Sequence, residues 1–305
     1  MGEAILFPGQ GAQFEGMGRD WCEAYPRARE TFAEASRVLG FSLEEACWSK
    51  GDFVHRTDIA QPGILVTSVA IVRVLEERGL KLAEASMVAG LSLGEYSALW
   101  AAGSLDFVDA LRLVRLRGEA MQAASDALPS SMVSLMGASE AQARSLAELG
   151  SRHGICSVAN LNAPGQVIVS GELAALDAVE AAAKEHGVRR TRRLVVAGGF
   201  HSECMRPAAD ALGKALEAVE IRAPSLPFLP NVSAQPTAEP EAIRALLAQQ
   251  VCAPVLWEKS MRWALAAGIR EFLEPGPGKI LAGILGKIDE TATCRAAAVP
   301  ADVGA

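Results

Sequence analysis

The chain has 305 residues, half of them hydrophobic and 21% charged, with a mean hydropathy of +0.19; that composition supplies a sizeable core and excludes a disordered chain. A net charge of −7 argues against a general nucleic-acid binder. Six widely spaced cysteines (Cys22, Cys47, Cys156, Cys204, Cys252, Cys294), with no C-x-x-C pair, exclude a zinc ribbon or disulfide framework; they fit a reduced, cytoplasmic setting and imply no metal.

The opening MGEAILFPGQ has no basic region ahead of an apolar stretch and does not read as a signal peptide, and Leu6 stands where a myristoylation signal needs Ser or Thr. No apolar run approaches the roughly 18–20 residues that span a bilayer, so no membrane association is expected. Aromatic residues are only 5%, so the core must be built from Ala, Leu and Val. Short β-like runs at 4–7, 87–89, 226–229 and 271–273 alternate with helical stretches such as 64–78, 107–124 and 207–219. That alternation is the α/β pattern of a mainly parallel sheet.

One segment breaks the rhythm. It reads as a strand at 132–136, a helix at 140–149, two strands joined by a turn at Pro164-Gly165, a helix at 173–186 and a strand at 192–196. This β-α-β-β-α-β order is ferredoxin-like. The sequence therefore predicts a large, α/β-hydrolase-like domain made of residues 1–124 and 198–305, with a small ferredoxin-like α+β subdomain, 125–197, inserted in it. The cleft between the two is the default ligand site. Residues 290–305 read as an edge strand or a loose tail.

Four loops carry candidate chemistry. FPGQGAQ at 7–13 follows the first strand and so points at the ligand edge of an α/β sheet, but it lacks the G-K-[ST] of a phosphate loop. Gly90-Leu91-Ser92-Leu93-Gly94 is G-x-S-x-G between an apolar strand and a helical stretch, the setting of a nucleophile elbow, and the helix N-terminus after Ser92 would favour developing negative charge. The bland alternative is a Gly-rich turn with an inert serine. EPGPGK at 274–279 reads as a turn capping the next helix. Arg189, Arg190, Arg192 and Arg193 form a basic run, either a solvated strand end or a docking surface for an acidic partner or a coenzyme phosphate.

A serine nucleophile needs a base, and there are four histidines. His153 and His186 each precede a Gly at the end of a helical run, a capping position, and His55 sits in a polar loop. His201, in GGFHS just after the subdomain's last strand, falls where the chain re-enters the large domain, and elimination favours it as partner of Ser92. On the helix from Asp106, residues Phe107, Leu111, Val114, Gly118 and Met121 share one face while Arg112, Arg115 and Glu119 share the polar one. Arg117 projects beside the apolar stripe, where it either snorkels to water, the reading that pattern alone favours, or pairs with an anion. A guanidinium fork near an acyl-transfer serine would suit a substrate carboxylate.

With these residues in place, the sequence resembles the malonyl-CoA:acyl-carrier-protein transacylases, the acyltransferases of fatty acid and polyketide synthesis. The resemblance runs over residues 5–285 and rests on FPGQGAQ at 7–13, GLSLGEYSAL at 90–99, RLRGEAMQ at 115–122, NLNAPGQVIVSG at 160–171, GGFHS at 198–202, NVSA at 231–234, QQVCAPVLW at 249–257 and EPGPGKIL at 274–281. It implies that Ser92 is acylated, that His201 is the general base, and that Gln250 replaces the usual triad carboxylate by orienting His201 through its carbonyl. It places Gln10 and the N–H of Leu93 at the oxyanion hole and gives Arg117 the malonyl carboxylate. Phe200, Asn160, Asn162 and Asn231 are implied near the substrate; Leu93 and Phe200 resemble malonyl-selective members. Malonyl-CoA is the implied donor and an acyl carrier protein the implied partner, with no further cofactor and with a monomer as the default. Leu91 stands where the family usually has His, which puts fine tuning of the elbow in question. Competing readings are an α/β-hydrolase esterase, an acyl-thioester hydrolase of the same family, and a weakened, acyltransferase-like docking module.

Overall fold

The computed structural model describes residues 2–304, and the strands among them, in chain order, are β1 (Ala4–Phe7), β2 (Val88–Gly90), β3 (Ser130–Met136), β4 (Cys156–Ala163), β5 (Gln166–Glu172), β6 (Arg190–Arg193), β7 (Phe228–Leu229), β8 (Glu271–Pro275) and β9 (Thr293–Ala297). β1 is apolar and buried at every position, the condition of a strand whose two faces are both covered. Its alternate residues part accordingly: Ile5 and Phe7 enter one core with Val88, Phe228 and the large helices, while Ala4 and Leu6 enter a second with Met87, Ala89, Trp257 and Phe272. The large sheet is parallel throughout, in the order β7-β2-β1-β8-β9, with Phe7 opposite Gly90. Consecutive parallel strands deliver their following loops to one edge, so FPGQGAQ and the G-x-S-x-G turn arrive side by side. Of the two readings of the last stretch, the edge strand is found: β9 closes one side of the sheet and a short 3-10 turn, Pro300–Val303, follows it.

The small sheet is antiparallel, in the order β4-β5-β3-β6, which is the ferredoxin-like arrangement. Val133, Leu135, Val158, Val167 and Val169 pack there on Leu146, Leu176 and Val179 of two helices, Glu140–Gly150 and Leu173–Ala182. The first of these starts at a capping box, Ser139 and Gln142 exchanging bonds with each other's main chain. The second stops before His186, and β6 ends at Arg193, short of the expected 196; beyond it Val195 is fully exposed. The small sheet is joined to the large domain where Val255, outside the named strands, pairs with β4 as an isolated parallel bridge. Its N–H donates to the Ala159 carbonyl (2.8 Å), its carbonyl accepts from Leu161 N–H (2.9 Å), and the next amide, Leu256 N–H, donates to Asn231 O (2.9 Å).

Two expectations need correction at one helix. The helix expected at 64–78 spans Thr57–Glu77, with Pro62 inside it. Pro62 has no N–H for the Asp58 carbonyl, four residues back, which would ordinarily end a helix there. The Arg115 guanidinium fills that role, donating to Asp58 O at 2.6 Å, and the first turns survive. The helix is also, by length and composition, long and apolar enough to cross a membrane, contrary to the reading that no run approaches this; 94% of that stretch is buried inside the protein, where it is the central core helix. Gly118 on Phe107–Ala127 lets this neighbour approach so closely that a Cβ there would lie 2.7 Å from the Thr57 carbonyl.

Candidate active site

The turn after β2 is built by its glycines. A Cβ at Gly90 would lie 1.9 Å from the Gly94 main chain, and one at Gly94 would lie 2.2 Å from Phe7 O, so neither position admits a side chain. Between them Ser92 holds φ at +53°, a left-handed conformation costing about 1 kcal/mol or more for a residue with a Cβ. What holds it there is Asn231, buried beneath the turn: its Oδ1 accepts from Ser92 N–H (2.6 Å) and its Nδ2 donates to Gly90 O (2.7 Å). Both ends of the Asn231 side chain are thus occupied. In this arrangement Asn231 braces the turn from beneath the nucleophile. The helix Gly94–Ala101 begins directly after, aiming its N-terminus at Ser92.

His201 also sits at positive φ, +58°, in a loop pressed tightly inward: a Cβ on Gly198 would fall 2.2 Å from Ser125 Oγ, and Gly199 N–H donates to Ser130 Oγ at 2.9 Å. Its Nε2 lies 2.8 Å from Ser92 Oγ and its Nδ1 lies 2.9 Å from the main-chain carbonyl of Gln250. A carbonyl only accepts, so Nδ1 carries the proton and the Nε2 lone pair faces the serine hydroxyl. Burial, reinforced by the positive charge of Arg117, lowers this imidazole from 6.5 to about 4, against the pull of main-chain hydrogen bonds at Gln250 and Ala253. It is therefore a free base at neutral pH.

The snorkelling of Arg117 that pattern alone favoured does not occur. The side chain is 1% exposed, held inward because Nη1 donates to Gln61 Oε1 (2.8 Å) and Nη2 to both Gln250 Oε1 (3.0 Å) and Ser92 Oγ (3.1 Å). Every one of these partners is neutral, and Nε has none. A buried guanidinium with only neutral acceptors is a place prepared for an anion. Gln61, which the sequence reading missed, sits in the turns preserved around Pro62. Its amide also donates to Gln10 Oε1 (3.4 Å), and Gln10 in turn donates to Thr57 Oγ1 (3.3 Å), which ties FPGQGAQ to the arginine.

The Gln250 side chain is equally committed, Nε2 donating to Ser92 O (2.9 Å) and to Glu95 Oε2 (2.6 Å). It is thus the main-chain carbonyl of Gln250, not its amide, that meets the histidine. Among the described residues no acceptor takes the N–H of Leu93 or of Gln10. Phe200 is buried in the large core beside His201. Asn160 and Asn162 lie on β4, and no hydrogen bond joins either to Ser92, His201 or Arg117 among the described residues; Asn162 Oδ1 is buried without a partner. Of the basic run, Arg193 is neutralised by Asp177 (2.8 Å) and Glu180, while Arg189, Arg190 and Arg192 are exposed. Glu274 caps the helix Ile280–Ile288 through Leu281 and Ala282 N–H. Two surface pockets, of about 500 and 540 Å³, are lined by Phe41, Phe53 and Arg115 and by Arg206, Lys214 and Glu217, and contain none of the catalytic set. Convergence of polar groups, not cavity size, marks this site. Among the described residues no cluster of three or more His, Cys, Asp or Glu could hold a metal.

The model of the acyl transferase domain family matches residues 5–287. Over 304 residues the chain is 39% identical to the malonyl CoA-acyl carrier protein transacylase of Escherichia coli (strain K12), covering 99% of this chain and 97% of that one. Among solved structures, the acyl-carrier-protein-S-malonyltransferase of Bartonella henselae superposes with a TM-score of 0.95 at 38% identity, over 99% of this chain and 97% of the other. A malonyl-transacylase solved in complex with a type II PKS acyl-carrier protein gives 0.94 at 37% identity, over 99% and 98%.

Proposed function

The chain belongs to the acyl transferase domain family, and from that premise we propose that it transfers malonyl groups from malonyl-CoA to the phosphopantetheine thiol of an acyl carrier protein, through an acyl-enzyme on Ser92. The observation that carries the reading is Arg117: a buried cation with only neutral partners, one of them the serine hydroxyl that the base also holds. Ser92 Oγ attacks the thioester carbonyl as its proton passes to His201 Nε2. The oxyanion is received by the unengaged N–H groups of Leu93 and Gln10. Collapse breaks the C–S bond, and the coenzyme A sulfur leaves with the proton from Nε2. The carrier thiol then gives its proton to the same nitrogen and attacks the ester carbonyl; the Oγ–C bond breaks, and Ser92 leaves with that proton from Nε2 as the malonyl group passes to the carrier. Arg117 holds the donor's free carboxylate, with Gln61 and Gln250 fixing its fork.

In this reading, malonyl-CoA is a substrate and no separate cofactor takes part. Ser92, His201, Arg117 and Gln250 meet within one chain, so a monomer suffices for the chemistry, and the six unpaired thiols suit the cytoplasm. The two sheets support a division into 1–124 with 198–305 and an inserted 125–197. Exposed Arg189, Arg190 and Arg192 at the edge of the small sheet offer a basic face to an acidic carrier protein.

Intact-mass spectrometry after incubation with malonyl-CoA tests the proposal. A malonyl adduct on Ser92, absent in Ser92→Ala and transferred to added carrier protein, is expected. Free malonate without an adduct would instead favour a hydrolase, and no reaction a docking module.

A further inference from the structure

Glu95 is a buried acid that the reaction scheme above does not use. It stands in the first turn of Gly94–Ala101 and is 1% exposed. Burial pushes its carboxyl up to about 8, opposed by the Asn231 N–H, the Gln250 amide and the charge of Arg117. Its two oxygens are divided between two residues already met. Asn231 N–H donates to Oε1, and Gln250 Nε2 donates to Oε2 at 2.6 Å. Each of those residues holds part of the machinery: Asn231 braces the strained Ser92 turn, while Gln250 receives His201 Nδ1 on its main-chain oxygen and Arg117 on its side-chain oxygen.

We propose that Glu95 is a positioning residue for acyl-group selectivity, its two carboxyl oxygens, which accept from Asn231 N–H and Gln250 Nε2 whether or not the group is ionised, locking the Gln250 amide so that Oε1, and not Nε2, faces Arg117. The inference rests on the transacylase reading and concerns how its selectivity is held. The reasoning is one of donors and acceptors. Arg117 only donates, so it requires Oε1 of Gln250; Ser92 O and Glu95 Oε2 only accept in this arrangement, so they require its two N–H groups. The amide has one orientation that satisfies all three. A Gln at position 95 would offer one acceptor where two N–H donors converge. Either Asn231 N–H or Gln250 Nε2 then meets a donor, and turning the Gln250 amide to relieve that conflict sets Nε2 against the guanidinium. Arg117 loses a partner, and its fork is no longer fixed for a carboxylate. Acetyl donors, which have no carboxylate to present, are indifferent to that change.

The test is the ratio of kcat/KM for self-acylation by malonyl-CoA and by acetyl-CoA, in wild type, Glu95→Gln and Glu95→Asp. Glu95→Gln should lower the malonyl-to-acetyl ratio about tenfold, the scale of one hydrogen bond to a charged group. Glu95→Asp keeps both carboxyl oxygens but is one methylene too short to reach both partners, and should lower it about threefold on the same basis. A residue that merely supported the fold would depress both donors equally. An unchanged ratio in either folded variant overturns the proposal, and Glu95→Asp decides alone if Glu95→Gln does not fold. The wild-type malonyl reaction is the arm that judges the transacylase reading: if wild type acylates and the ratios hold, only the role of Glu95 is lost, whereas a wild type inert to malonyl-CoA sinks both.

Discussion

Replacing Arg117 with Ala separates binding of the substrate carboxylate from chemistry at the thioester. In the wild-type site the malonyl carboxylate would meet a cation that is 1% exposed and lacks any charged partner. Without it, the same carboxylate is buried unpaired, a loss of about 3–5 kcal/mol. Taking about 4 kcal/mol, and about 1.36 kcal/mol per factor of ten, kcat/KM for malonyl-CoA falls roughly a thousandfold. Acetyl-CoA loses only the contact between Nη2 and Ser92 Oγ, at 3.1 Å, which touches the nucleophile whatever the acyl group. One such bond amounts to about 1 kcal/mol, a factor of roughly five. The two donors therefore diverge by about two orders of magnitude. A second signature accompanies the first: the arginine's charge helps to lower His201, so its removal raises that imidazole and moves the acid limb of acetylation to higher pH. Stopped-flow release of coenzyme A from each donor, across pH, reads both. Equal losses for malonyl and acetyl, in a variant shown to be folded by circular dichroism, would refute the reasoning.

Four further outcomes follow from the structure. With His201 held at about 4, wild-type malonylation at limiting donor stays level from about pH 7 to 5 and declines only below that; an acid limb centred near 6.5 contradicts it. The same depression has a cost in stability. As pH falls from 6.5 toward 4 the unfolded chain takes up a proton that the folded histidine refuses, so the native state loses up to about 3 kcal/mol over that window. Urea unfolding at pH 7 and pH 4.5 should show a smaller loss in His201→Asn, since the opposite contribution of Glu95 is common to both proteins; equal losses would reject the linkage. Gly90→Ala drives a methyl to within 2.0 Å of Gly94 O and should yield little soluble protein, whereas Gly286→Ala, with nothing within 4 Å, should express normally. Leu91→His should alter acylation by less than about tenfold, because the turn uses the main chain of this residue, N–H to Phe7 O and O from Gly94 N–H, while its side chain is partly buried against the second core; a larger change would show the side chain acting on the elbow.

What could be read from sequence was local, and what could not was long-range. The G-x-S-x-G turn announces itself because glycine spacing, an incoming apolar strand and an outgoing helix are all contiguous. The ferredoxin-like order was likewise written in consecutive elements, while the order β7-β2-β1-β8-β9 joins strands more than 200 residues apart and leaves no local trace. Arg117 was ambiguous because a position beside an apolar stripe suits either water or a buried partner; the decision lies with Gln61 and Gln250, 56 and 133 residues away. Gln61 itself lay outside the helix expected at 64–78, since only the fold shows the Arg115 guanidinium satisfying Asp58 O and the first turns surviving Pro62. Asn231 was legible as part of a motif but not in its action, since only the fold places an amide beneath the serine.

The bridge at Val255 has a consequence for how donor and carrier reach the serine. Its two hydrogen bonds seat it on β4, and Leu256 next to it is bonded to Asn231, the brace beneath Ser92. The small sheet is therefore geared to the nucleophile through Val255, Leu256 and Asn231. If it swung away as a lid, it would drag the turn out of register with His201. Donor and carrier must accordingly reach Ser92 with the small sheet held in place. Deuterium should reach the amides of Val255 and Leu161 only when the whole protein opens, and both lobes should melt in one transition.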